Sequence, residues 1–105
     1  MSTFDEREKG FERKFVNDQE NRFRALSRRN RMLGEWAARR MKLADAAGYA
    51  DALVKSELHY ARDEDVLHRV MQDLSAAGLR TREAEVRAKM NEFLAQALAQ
   101  FQADS

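Results

Sequence analysis

Apolar spacing divides the chain into a sparse leading stretch and four amphipathic segments. Drawn as one helix at about 100° per residue, Phe4, Phe11, Phe15, Leu26 and Leu33 fall within a sector of roughly 60°. That stripe is narrow, and its surroundings oppose a free helix. Glu8/Glu12 and Lys9/Arg13 are like charges four residues apart, and Gly10 adds backbone entropy to the unfolded side. After Met1, only Phe4, Phe11, Phe15 and Val16 are large and apolar among the first twenty residues. Burying so few side chains returns less free energy than ordering the backbone between them costs. Residues 1–18 are therefore expected to be a flexible arm, disordered or frayed in the free protein and able to become a helix when a partner covers the Phe face.

From Asn21 to Lys42 the apolar positions thicken through Phe23, Leu26, Met32, Leu33, Trp36, Ala37 and Met41. This pattern predicts a first stable helix packed within its own chain, with Trp36 as a core anchor. Leu43, Ala44 and Asp45 form a break. Asp45 is a good N-cap for a second helix with Tyr49, Ala50, Leu53, Val54 and Leu58 on one face, ending near Tyr60 or Ala61. Asp63, followed by Glu64 and Asp65, predicts the cap and acidic first turn of a third helix bearing Val66, Leu67, Val70, Met71 and Leu74, with Gly78 as its stop. Thr81 is expected to cap the last helix. There Glu83 and Glu85 oppose the N-terminal dipole, and Val86, Met90, Phe93, Leu94, Ala97, Leu98 and Phe101 form a wide apolar stripe. Short connections make neighbouring helices antiparallel. The expected fold is all-α, a small four-helix bundle over residues 19–105 behind the flexible N-terminal arm.

Composition supports that outline. The chain lacks Pro and Ile and has five Val and two Thr against seventeen Ala, ten Leu and five Met, which leaves little material for a sheet. At 105 residues it has room for one core, and a thin one once Ala is set aside. Without cysteine it can form neither disulfides nor thiolate metal sites. Neither a spanning helix nor a secretory signal can be drawn, so a cytoplasmic protein without direct membrane insertion is expected. Net charge is only +1, but residues 1–42 carry twelve Lys/Arg against seven Asp/Glu, and the remainder seven against eleven. The basic half leads and the acidic half follows.

Candidate chemistry is scarce. The glycines at 10, 34, 48 and 78 are isolated and form no phosphate-cradling loop. His59 and His68 lack a partner at ligand spacing and read as surface residues, so no metal and no cofactor are expected. No hydroxyl nucleophile sits in a strained-turn motif, which argues against an enzyme. The strongest charge feature is Arg22, Arg24, Arg28, Arg29 and Arg31, joined by Arg39, Arg40 and Lys42. It opens an alternative reading as a nucleic-acid-binding helical module. The cations spread around the helix, however, and Glu20 and Glu35 interrupt them, so a solvated surface or a docking face for an acidic protein explains them as well.

Three collinear blocks carry a family resemblance. They are Phe4-Asp5-Glu6-Arg7-Glu8-Lys9-Gly10-Phe11-Glu12-Arg13-Lys14-Phe15, then Arg28-Arg29-Asn30-Arg31-Met32-Leu33-Gly34-Glu35-Trp36-Ala37-Ala38, and Glu64-Asp65-Val66-Leu67-His68-Arg69-Val70. Through them the chain resembles the zeta subunit, the ATPase inhibitor of the F-type ATP synthase of alphaproteobacteria. The outline of the second helix rests on periodicity alone. The resemblance implies a four-helix body whose N-terminal arm blocks ATP hydrolysis by inserting as a helix into a catalytic alpha/beta interface of the enzyme's head, beside the gamma shaft. On that reading Phe4, Phe11 and Phe15 are buried by the partner, and Arg7, Lys9, Arg13 and Lys14 meet acidic surfaces of the head. The implied partner is the catalytic head (alpha, beta and gamma subunits), with the free inhibitor monomeric and located at the inner membrane only through the head. A weak nucleotide site on the bundle finds no support in residue spacing.

Overall fold

A computed structural model describes residues 19–57 and 62–104. The expected arm, residues 1–18, and the expected end of the second helix at Tyr60 or Ala61, with Leu58 and His59, lie outside the described residues. Those that are described form four helices: α1 Gln19–Arg40, α2 Ala46–Glu57, α3 Asp63–Ala76 and α4 Glu83–Asp104. No strand occurs among them, and the all-α four-helix reading holds.

Helix α1 is the hub. It packs chiefly against α2 and α4, while α3 covers the open side by touching α4 and α1. Polar pairs show the directions. Arg31 near the middle of α1 meets Asp51 of α2, and Gly34 faces Ala50, so α1 and α2 are antiparallel. Arg28 meets Gln100 and Arg40 meets Glu85, so α1 and α4 are antiparallel too. The core comprises Leu33 and Ala37 from α1, Leu53 from α2, Val66, Leu67, Val70 and Leu74 from α3, and Val86 and Met90 from α4. Trp36, Tyr49, Met71 and Phe93 pack against it from partly exposed positions.

Alanine matters more than the thin-core expectation allowed. Ala25, Ala37, Ala38, Ala50 and Ala97 are all buried, because small side chains let helix axes approach until the larger side chains interdigitate. Gly34 takes this furthest: a Cβ there would stand 2.8 Å from the Ala50 Cα, so the α1–α2 crossing is a near contact of backbones.

The helix ends follow local chemistry in some places and not in others. Asp45 caps α2 as expected, its Oδ1 accepting the Gly48 N–H at 2.9 Å while its carbonyl accepts from Tyr49 at 3.2 Å. Gly78, at φ +83°, closes α3: the Leu79 N–H donates to the Leu74 carbonyl at 3.0 Å and the Gly78 N–H to that of Ser75 at 2.9 Å. Helix α1 ends in the same pattern with Lys42 at φ 57°, its N–H donating to the Arg39 carbonyl and that of Leu43 to the Ala38 carbonyl. Two expected caps are corrected. Arg62, not Asp63, is the N-cap of α3, with no side-chain cap bond, because the Asp63 carboxylate is taken by Arg29. Nor does Thr81 cap α4: the first helical bonds go to the Arg82 carbonyl, and the Thr81 hydroxyl has no hydrogen-bond partner among the described residues.

Candidate functional site

The arm residues singled out by the sequence, Phe4, Arg7, Lys9, Phe11, Arg13, Lys14 and Phe15, all lie outside the described residues. What the structure does describe is the basic segment that follows them on α1, and it sorts those arginines by environment. Arg29 is only 2% exposed, and its burial is compensated in full view of its donors. Nε and Nη2 donate to Asn30 Oδ1 at 3.0 and 2.9 Å, and Nη1 donates to Asp63 Oδ1 at 2.9 Å. A guanidinium can leave water only when its fork is so occupied. Arg29 is thus a clamp between α1 and the start of α3, unavailable to a partner.

Other cations of the cluster are also engaged inside the molecule. Arg31 pairs with Asp51 at 2.6 Å across the α1–α2 contact. Arg28 donates from Nη1 to Gln100 Oε1 at 2.8 Å and lies 4.6 Å over the ring of Phe101. Farther along, Arg39 meets Glu35 at 3.8 Å, and Arg40 pairs with Glu85 at 3.1 Å with its guanidinium 5.4 Å from the Trp36 ring. Trp36 serves as the expected anchor, partly buried against the core. A uniform phosphate-binding stripe does not arise from this arrangement. Arg22 and Arg24, near the start of the helix, have exposed side chains.

These residues do assemble an open groove, lined by Phe23, Arg24, Ser27, Arg28 and Arg31 of α1, Val54 of α2 and Phe101 of α4. Phe23 was expected to pack inward, yet it is 50% exposed. By helical phase it shares the buried face with Asn30 and Gly34, but it stands near the start of α1, where its ring forms one wall of the groove. Helical phase therefore carried no signal of this exposure. The contributions of Val54 and Phe101 had none, since they arrive from other helices.

The far side of the bundle is charge-balanced. Arg87 of α4 pairs with Glu64 at 2.9 Å and with Glu83 at 2.8 Å. The hydrogen bond from Arg87 holds the Glu64 carboxyl below its ordinary range, and the same bonds raise the guanidinium in turn. Tyr49 donates its phenol to Asp73 Oδ2 at 2.6 Å. Burial pushes that phenol above its usual value, and the bond to Asp73 pushes it further. His68 is exposed, as expected. Among the described residues no group of three or more His and acidic side chains converges as metal ligands would, and no helix is long and apolar enough to cross a membrane.

The family of ATPase inhibitor subunit zeta matches residues 1–100, spanning the leading segment, the first three helices and most of the fourth. The chain belongs to the zeta family. No individually curated protein matches it. Membership makes the chain an ATPase inhibitor by family and supports a regulatory role exercised by binding to the ATP synthase. The zeta match also covers the region from Leu43 to Tyr60, whose helix had rested on periodicity alone.

Proposed function

We propose that this zeta-family chain inhibits the F-type ATP synthase by inserting residues 1–18 as a helix into a catalytic alpha/beta interface of the head, next to the gamma shaft. The family match over residues 1–100 carries this reading, because it includes the leading segment as well as the body. One further observation supports it. The leading segment holds Phe4, Phe11 and Phe15 on one helical face, flanked by Arg7, Lys9, Arg13 and Lys14.

On this mechanism the segment orders as it enters, and the aromatic face is buried by the partner. The cations meet acidic surfaces of the head. The wedge then obstructs the interface changes that accompany rotation and hydrolysis, so inhibition is mechanical and this chain performs no chemistry. The free inhibitor is a monomer in the cytoplasm and reaches the inner membrane only through the head. The test is ATP hydrolysis by the purified head with the full chain and with a variant lacking residues 1–18. Full-length protein inhibits and the shortened one does not; equal inhibition by both ends the proposal.

A further inference from the structure

Helix α3 is held differently from the other three. The α1–α2 crossing is a near contact of backbones at Gly34 and Ala50, and α1 packs along both α2 and α4, whereas α3 lies over the open side of that group and touches α1 and α4 more lightly. Its apolar hold is one face, Val66, Leu67, Val70 and Leu74, all fully buried. Three of its own carboxylates tie it to three different helices. Asp63 accepts from Arg29 of α1 at 2.9 Å, Glu64 from Arg87 of α4 at 2.9 Å, and Asp73 from Tyr49 of α2 at 2.6 Å. Glu64 and Arg87 are half exposed, so their pair is screened and weak. Arg29 is buried, and a buried guanidinium that loses its counter-charge becomes an uncompensated charge in the core. At the other end of α3, Gly78 takes φ +83°, and among the described residues nothing beyond its chain neighbours lies within 4 Å of where a Cβ would stand. The backbone there has room to turn.

We infer that α3 is a strap with its own opening equilibrium: it lifts from the bundle as one unit about Gly78 when the Arg29–Asp63 latch breaks, while α1, α2 and α4 stay packed on one another. The latch sits at the first residue of α3, and the pivot lies just past its last. A break at one end and a turn at the other move the whole helix. The buried side chains of α3 then reach water together with Leu33, Val86 and Met90, which share the core with them. That exposure keeps the open state a minor population. Lifting α3 leaves the Gly34–Ala50 crossing and the pairs Arg31–Asp51 and Arg40–Glu85 in place, since none of them involves it. The bundle thus has two states that differ in whether its apolar interior is covered. This inference stands apart from the arm reading, because neither the head nor residues 1–18 enter it.

The chain has no cysteine, so an introduced thiol is the only one. Val70→Cys in α3 and Ala38→Cys, one turn beyond Gly34 on α1, are made separately in the full chain; both positions are fully buried. Labelling by a thiol reagent under native conditions reports how often each site opens, and urea denaturation gives the globally unfolded population. The thiol at position 70 is labelled about tenfold faster than global unfolding allows, or more, and the thiol at position 38 only at the global level. Asp63→Asn, which removes the charge of the latch, speeds labelling at position 70 about tenfold. Gly34→Ala, which strains the α1–α2 crossing, speeds labelling at position 38 about tenfold and leaves that at position 70 within about twofold. Labelling at position 70 that only keeps pace with global unfolding, and rises with Gly34→Ala, overturns the inference, since α3 then opens only with the rest. Unchanged labelling at position 70 in Asp63→Asn overturns it as well, by removing the latch. Val66→Cys, fully buried on the same face of α3, takes the place of Val70→Cys if that variant does not fold.

Discussion

Lys42 closes α1 in the left-handed region, at φ 57°, in a turn that elsewhere in the chain is given to Gly78. Its Cβ crowds the following carbonyl there, a cost of about 1–2 kcal/mol that glycine escapes. Lys42→Gly keeps both closing hydrogen bonds and is expected to raise stability by about 0.5–1 kcal/mol after the extra entropy of the unfolded glycine is counted. The change appears as a higher denaturant midpoint with the slope unaltered. Tyr49 offers a second test. Its folded-state phenol holds its proton more tightly than in the unfolded chain, through burial and Asp73. The stability this supplies is complete below the ordinary tyrosine value of 10.0 and declines as pH rises through and beyond it, because the unfolded chain ionises first. Tyr49→Phe should cost about 1–2 kcal/mol at neutral pH and abolish that alkaline decline, as read by denaturation across the tyrosine range.

Helix packing is governed by the smallest residues. Gly34 and Ala50 set the separation of α1 and α2, and the Gly34 position leaves 2.8 Å between a new Cβ and the backbone of Ala50. Backbone atoms cannot rotate away as a side chain can. Gly34→Ala is therefore expected to push the two helices apart and destabilise the bundle by about 1–3 kcal/mol, despite the better helix propensity of Ala. A thermal melt of the purified variant checks this, and an unchanged midpoint would show that the crossing can slide. The same element-level competition explains the caps. Asp63 lies where an N-cap is expected, but a buried guanidinium offers its carboxylate a stronger partner than a helix-end N–H, and the charge goes to Arg29. Asp45 has no such rival and caps α2.

At the scale of the whole molecule, the proposed function gives the bundle the task of holding shape and residues 1–18 the task of inhibition. If the leading segment contributes nothing to the bundle, Phe11→Ala and Phe15→Ala weaken inhibition of hydrolysis while the melting temperature stays within about 1 °C, the response expected of residues outside the cooperative unit. A large fall in melting temperature would instead place those rings in the core. The zeta-family match, which takes in the leading segment and the bundle together, fits a protein whose two parts work on one partner.

The helix number, order and class were readable before any coordinates, because amphipathic period and turn residues such as Asp45 and Gly78 are local properties of adjacent residues. The candidate inhibitory face is an expectation of the same local kind, since Phe4, Phe11 and Phe15 share a phase within one segment, and it lies outside the described residues. What could not be read was what the arginine cluster meets. Arg29 shares the helical phase of Leu33, but the carboxylate of Asp63 that compensates its burial lies thirty-four residues away, while Phe101 waits beneath Arg28 from the opposite end of the chain. Nor could the exposed Phe23, the Gly34–Ala50 contact or the groove be read. Each arises where helices distant in sequence cross, and a repeat of 3.6 residues records which side of a helix turns inward without recording what meets it there.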